Sequence, residues 1–161
     1  QECHGTLDQV SLGHEFMTDV LKLQFHLKPE ENIEPVWLAH SLAYALVEGA
    51  ADEEVLAIPS TDLNATVAHR AHSEQNFLPP IILYDNVPGG AGLVTRLEKK
   101  EMFRDCLEAA QKRVSGKCGC DEGGGTSCYG CLRTYRNQFA HKHLQRGPVK
   151  NYLDKVLSEW K

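Results

Sequence analysis

Four of the chain's six cysteines fall within fourteen positions, in "CGCDEGGGTSCYGC" from Cys118 to Cys131. The spacing is Cys118-x-Cys120, seven residues, then Cys128-x-x-Cys131. A tetrahedral metal with thiolates about 2.3 Å away needs two short turns that face each other. Small residues allow such turns, and Gly119 and Gly130 sit inside the two pairs while Gly123–Gly125 loosen the connection. The pattern favours a four-thiolate zinc site over residues 117–132. Four thiolates close the coordination shell and leave no position for a reactive water, so the expected role is structural. An iron–sulfur cluster uses the same ligand type and stays open. Two disulfides fit poorly with a chain that shows no secretory leader, and a thioredoxin-like CxxC would stand between a strand and a helix rather than after a glycine loop. Replacing Cys118 and Cys120 by His141 and His143 would leave two thiols idle beside a metal.

The other reactive side chains are weaker candidates. Cys106 sits on the apolar face of an expected helix and reads as core. Cys3, beside His4, reads as an ordinary thiol, and His69 and His72 as surface residues with no glutamate partner. "YDNVPGGAG", residues 84–92, places a glycine turn between a strand and a helix, where amides can hold an anion. It lacks both the Lys-Ser/Thr of a phosphate loop and GxGxxG spacing. A tight reversal at Gly89, Gly90 and Gly92, braced by Asp85, is therefore expected, with a phosphate contact as the alternative. No nucleophile–base pair or carboxylate cluster is found, so catalysis is not expected here; a nuclease built on Asp85 is the least favoured reading.

The elements that position the cysteines read as follows. "VLKLQFHL" (20–27) alternates, placing Leu21, Leu23, Phe25 and Leu27 on one face of a strand. The alanine- and leucine-rich run after Pro35 predicts a buried helix over about 35–50. Strands are expected at 63–69 and at "IILY". Helical spacing from Leu93 to Val114 predicts one helix over 91–115, stopped by Gly116. Two shorter helices, about 129–139 and 148–160, close the chain. The fold class expected is α/β or α+β: a small mixed sheet packed with helices, then the cysteine loop and two helices. With 161 residues, 42% of them hydrophobic, this is one domain, 1–161, with core enough to fold. It has no apolar run long enough to span a bilayer. A cytoplasmic chain is expected, one that begins at Gln1 as part of something longer.

The net charge of −5 is unevenly spread. Residues 132–150 carry five cations and no acid, the eleven residues after them cancel, and residues 1–131 carry −10. Such a basic stretch beside an acidic body marks Arg133, Arg136, Lys142 and Arg146 as candidate nucleic-acid contacts.

"GHEFMTDVLKLQF", "IILYDNVPGGAGLVTRL" and "CGCDEGGGTSCYGCLRTYRNQ", in that order over about residues 12–138, resemble the MrfA-type zinc-binding domain. That domain stands at the C-terminus of certain DEAD/DEAH-box helicases. The resemblance implies zinc held by Cys118, Cys120, Cys128 and Cys131. It also implies an accessory role in a superfamily 2 helicase of DNA repair or of anti-phage defence. This sequence carries no GxxxxGK[ST] and no DEAD or DEAH box, so an ATPase motor would lie elsewhere in the parent chain or in a partner subunit. The implied partners are helicase core domains, with single-stranded DNA as a further one; no membrane is expected, and the isolated domain should be monomeric. The alternative is a zinc-scaffolded protein–protein interaction module of a multi-subunit defence complex.

Overall fold

The computed structural model describes residues 13–68 and 77–160; Cys3, His4, His69 and His72 lie outside the described residues. Three strands, β1 (Val20–Leu23), β2 (Leu63–Val67) and β3 (Ile81–Asp85), form a sheet in the order β1-β3-β2. Both ladders are antiparallel, with Leu21 opposite Leu83 and Ala65 opposite Leu83 on β3's other side. The class is therefore α+β, and the expected mixed sheet is antiparallel throughout. β3 takes the centre, paired along both edges, and its "IILY" run is apolar on both faces. Its Ile81, Leu83 and Asp85 are fully buried or nearly so. The strand expected over 20–27 ends at Leu23, but the alternation runs on past it: Leu21, Leu23, Phe25 and Leu27 pack on the core while Lys22, Gln24 and His26 face water.

Helix α1 (Pro35–Ala51) starts at a proline, whose missing N–H costs nothing at a helix start. It buries Leu38, Leu42 and Leu46 against the sheet and the later helices. At Gly49 the backbone of the crossing helix comes so close that a Cβ would lie 2.5 Å from the Cys106 carbonyl.

The single helix expected over 91–115 is two: α2 (Leu93–Arg96) and α3 (Lys100–Arg113). The reason lies in the sequence between them. After Leu97 come Glu98, Lys99, Lys100 and Glu101, all exposed, so no apolar side chain carries the stripe through. Leu97 N–H closes a tight turn on Val94, and Lys99 is extended. α2 then packs on the sheet and α3 on α1. The helix expected over 129–139 is also revised. Residues 129–132 are turns, and only Tyr135–Ala140 coils, as a 3-10 segment kinked at Asn137. A capping box starts that segment: Thr134 Oγ1 accepts from Arg136 N–H, and Thr134 N–H donates to Asn137 Oδ1 at 2.8 Å. The last helix, α4, runs Arg146–Glu159. Among the described residues no helix is long and apolar enough to cross a membrane.

Candidate metal centre

α3 ends at Arg113, and the chain then loops through the cysteines before α4 begins at Arg146. The loop folds back so that the Sγ atoms of Cys118, Cys120, Cys128 and Cys131 all lie within 4.8 Å of one another. Cys118 and Cys120 sulfurs are 3.5 Å apart, Cys128 and Cys131 sulfurs 3.8 Å. A tetrahedron with metal–sulfur bonds of about 2.3 Å has sulfur–sulfur edges of about 3.8 Å. The donor set therefore fits a single tetrahedral ion. It does not suit disulfides, since the thiols are free, nor a cubane cluster, whose iron and sulfide atoms would hold the thiolates farther apart. Among the described residues this is the only group of three or more potential ligands.

The second pair is built as a turn around its own sulfurs. Cys128 N–H donates to Cys131 Sγ at 3.1 Å, and Gly130 N–H to Cys128 Sγ at 3.3 Å. Such amides favour thiolates over thiols. A Cβ at Gly130 would sit 3.2 Å from Cys118 Cβ and 3.4 Å from Cys128 Sγ, so this glycine keeps the two arms close. Without a metal, three of the thiols are shifted in different directions. A backbone hydrogen bond at Cys120 brings Cys118 down to about 7, whereas burial pushes Cys131 up to about 12 and raises Cys120 as well. A dication reverses these preferences, because coordination strips the proton from a thiol.

Arg146 stands behind the site. Its guanidinium donates to Val114 O at 3.0 Å and to Asp121 Oδ2 at 2.6 Å, while its backbone N–H reaches Thr126 O at 2.9 Å. One side chain thus joins the end of α3, the loop and the start of α4, and places a positive charge beside two sulfurs. It is only 8% exposed. This corrects its expected place on a nucleic-acid face: Arg146 is turned inward. The other three cations lie nearer solvent. Arg133 Nε donates to Ser127 Oγ at 3.0 Å, Arg136 to Thr61 O at 2.9 Å, and Lys142 is exposed. His141 bonds Asn137 Oδ1 and Thr134 O, and His143 stacks on Trp37 at 3.7 Å. Neither histidine joins the sulfurs.

The glycine turn is braced from within. Asp85, fully buried at the end of β3, accepts from the N–H groups of Ala91, Leu93 and Val94 at 2.8–2.9 Å. Asp19, just before β1, accepts from Gly92 N–H at 3.0 Å. A Cβ at Gly90 would collide with the Asp19 carboxylate. The amides that could have cradled a phosphate are already occupied by carboxylates, so the tight-reversal reading holds and the anion reading does not. The same contacts turn Asp85 away from any metal. Two further residues, Asp19 and the fully buried Asn137 of the 3-10 segment, shape these loops without belonging to any expected site. Thr134-x-x-Asn137 is the sequence signal for the second, as a variant of the S/T-x-x-E/Q capping pattern.

Sheet, helices and sulfurs together define a four-thiolate metal module on an α+β scaffold. The family model of the MrfA Zn-binding domain matches residues 42–132, more than half of the chain, and the chain belongs to that family. Zinc is accordingly the ion its four close cysteines are positioned to hold. Two solved structures share the fold. The DUF1998 helicase MrfA bound to DNA is 23% identical, with a TM-score of 0.54 over 85% of this chain. The same helicase bound to DNA and AMPPNP is 22% identical, with a TM-score of 0.52 over 84%. The chain spans 17% and 15% of those two chains. No curated protein matches.

Proposed function

We propose that this chain is a non-catalytic, zinc-bound accessory domain of a superfamily 2 DNA helicase, working in the cytoplasm in DNA repair or anti-phage defence. The observation that carries this reading is the convergence of the four sulfurs in a chain of the MrfA Zn-binding family. Cys118, Cys120, Cys128 and Cys131 would hold the ion. Its contribution is to fix the loop that joins α3 to the 3-10 segment and α4, so that Arg133, Arg136 and Lys142 present a basic surface to single-stranded DNA. Contacts of this kind position the strand without reading its sequence.

Metal analysis of protein purified without added zinc, followed by DNA titration over a range of salt, tests both halves. One zinc per chain is expected. Removing Arg136 and Lys142 together should weaken binding equally for unrelated sequences. It should also flatten the logarithmic salt slope by about 0.7 for each phosphate no longer neutralised. An unchanged slope would sink the DNA half. A metal-free chain with its thiols intact would sink the zinc half.

A second reading, a protein-docking module for a partner subunit, is favoured by one observation. Phe25, Leu27, Phe103, Val156 and Trp160 line an open groove of about 580 Å³ between the end of β1 and α4, away from the sulfurs. It predicts pull-down of the motor subunit through that groove and no salt-dependent DNA affinity.

A further inference from the structure

Around the cysteine loop, the large apolar side chains that face water are all aromatic. Tyr129 is 52% exposed, Tyr135 83% and Phe139 66%; among the described residues the exposed large aliphatic side chains, Met17, Val20, Val36 and Val87, lie in other segments. Each ring is held on short, braced backbone. Tyr129 stands between Cys128 and Cys131, and its ring lies 5.4 Å from Tyr135 and edge-on to His141 at 5.5 Å. Tyr135 and Phe139 ride on the segment that Thr134 and Asn137 cap, and Phe139 meets His40 edge-on at 6.4 Å. The tyrosine pair is tilted by 42° rather than stacked, so the two rings do not cover each other's faces.

Arg133, Arg136 and Lys142 are interleaved with these rings, and residues 132–150 contain no carboxylate. On the loop's other arm, Asp121 is paired with Arg146. The core of a protein–protein interface is enriched in aromatic residues, methionine and arginine but depleted of lysine and acidic residues. Rings interleaved with three cations, Lys142 among them, along a stretch of chain free of carboxylates instead match the composition of a surface on which bases stack while the backbone is neutralised.

We propose that Tyr129, Tyr135 and Phe139 form a base-stacking platform for single-stranded nucleic acid, with Arg133, Arg136 and Lys142 along the phosphate track. The proposal deepens the DNA-contact reading above and rests on it. The metal loop then has a second task beyond bracing the fold, since it sets the angle of the first ring.

The test is fluorescence anisotropy of a labelled fifteen-nucleotide oligo-dT with the zinc-loaded chain, alongside an abasic deoxyribose-phosphate strand of the same length. Tyr135→Ala and Phe139→Ala should each weaken oligo-dT binding about fivefold or more, whereas Tyr135→Phe, which keeps the ring, should stay within about twofold. The abasic strand should bind the wild type no better than oligo-dT binds the double alanine variant. Both rings are exposed, so zinc content and thermal midpoint should not move. Wild-type binding with a clear salt slope but no weakening in either alanine variant would overturn the platform and leave the DNA-contact reading standing. No wild-type binding to oligo-dT would overturn both.

Discussion

Two glycine-rich loops of this chain look alike in sequence and are opposite in chemistry. Residues 85–94 bring backbone donors together, and the protein meets them with its own acceptors, Asp85 and Asp19. Residues 118–131 bring four sulfurs together, and among the described residues Arg146, at the edge, is the cation set against the charge that four thiolates would carry. One loop is complete without a ligand. The other is complete only with a cation. Convergent groups indicate a ligand only when no internal partner of the opposite kind satisfies them, a test that residue spacing alone does not apply.

The largest expected effect follows from filling or emptying the second loop. Chelation of the metal, or Cys120→Ser with Cys128→Ser, should take the zinc content from one per chain towards zero. Amide protection over residues 116–134 should fall by orders of magnitude, because that stretch has little regular structure of its own. The α1–sheet core, which buries its own apolar residues, should keep its far-ultraviolet dichroism. A metal-free loop as protected as the metal-bound one would erase the contrast between the two loops.

Next in size is the first loop. Asp85→Ala leaves three N–H groups without their acceptor, one of them buried, at a cost of about 3 kcal/mol or more in urea denaturation. Zinc stoichiometry should stay at one. The glycines sharpen the contrast. Gly90→Ala drives a Cβ into the Asp19 carboxylate at a positive φ of 77° and should lower stability by about 1–2 kcal/mol without touching the metal. Gly130→Ala crowds the two cysteine arms, so its effect should appear as weaker zinc retention against a chelator, with a smaller change in stability. Equal effects of both glycine changes on both readouts would mean that the two loops are not independent.

Much of this architecture is legible in the sequence, for identifiable reasons. The alternation of β1, the proline-led α1 and the four cysteines are local patterns, and local patterns survive folding. The break between α2 and α3 is also written locally, as four charged residues without an apolar one, but helical spacing on both sides masks it. Strand direction is not legible, since antiparallel and parallel partners can share an apolar run. The inward turn of Arg146 is hidden because charge in sequence says nothing of depth: its partners Val114, Asp121 and Thr126 come from 20 to 32 residues away along the chain. Asp19 is hidden for the same reason, lying 73 residues from the amide it caps.

The smallest effect separates two thiols that burial treats alike. Cys106, buried between α1 and α3, and Cys131, buried under the loop, are both pushed up to about 12 by burial. In the unfolded chain a cysteine ionises near 8.5. Between those values the unfolded state sheds a proton that the folded, metal-free state keeps, so ionisation favours unfolding. Each such thiol contributes stability that is complete below about pH 8.5 and is lost at up to about 1.4 kcal/mol per pH unit as pH rises. Cys106 should show this slope with or without metal, and Cys106→Ala should remove it. Cys131 should show it only in the metal-free chain, because a coordinated thiolate has no proton left to hold. Urea midpoints of the metal-free chain from pH 8 to pH 10 should therefore fall more steeply than those of the zinc-loaded chain. Parallel pH dependences would mean that Cys131 keeps its proton in the zinc-loaded chain and is not a ligand.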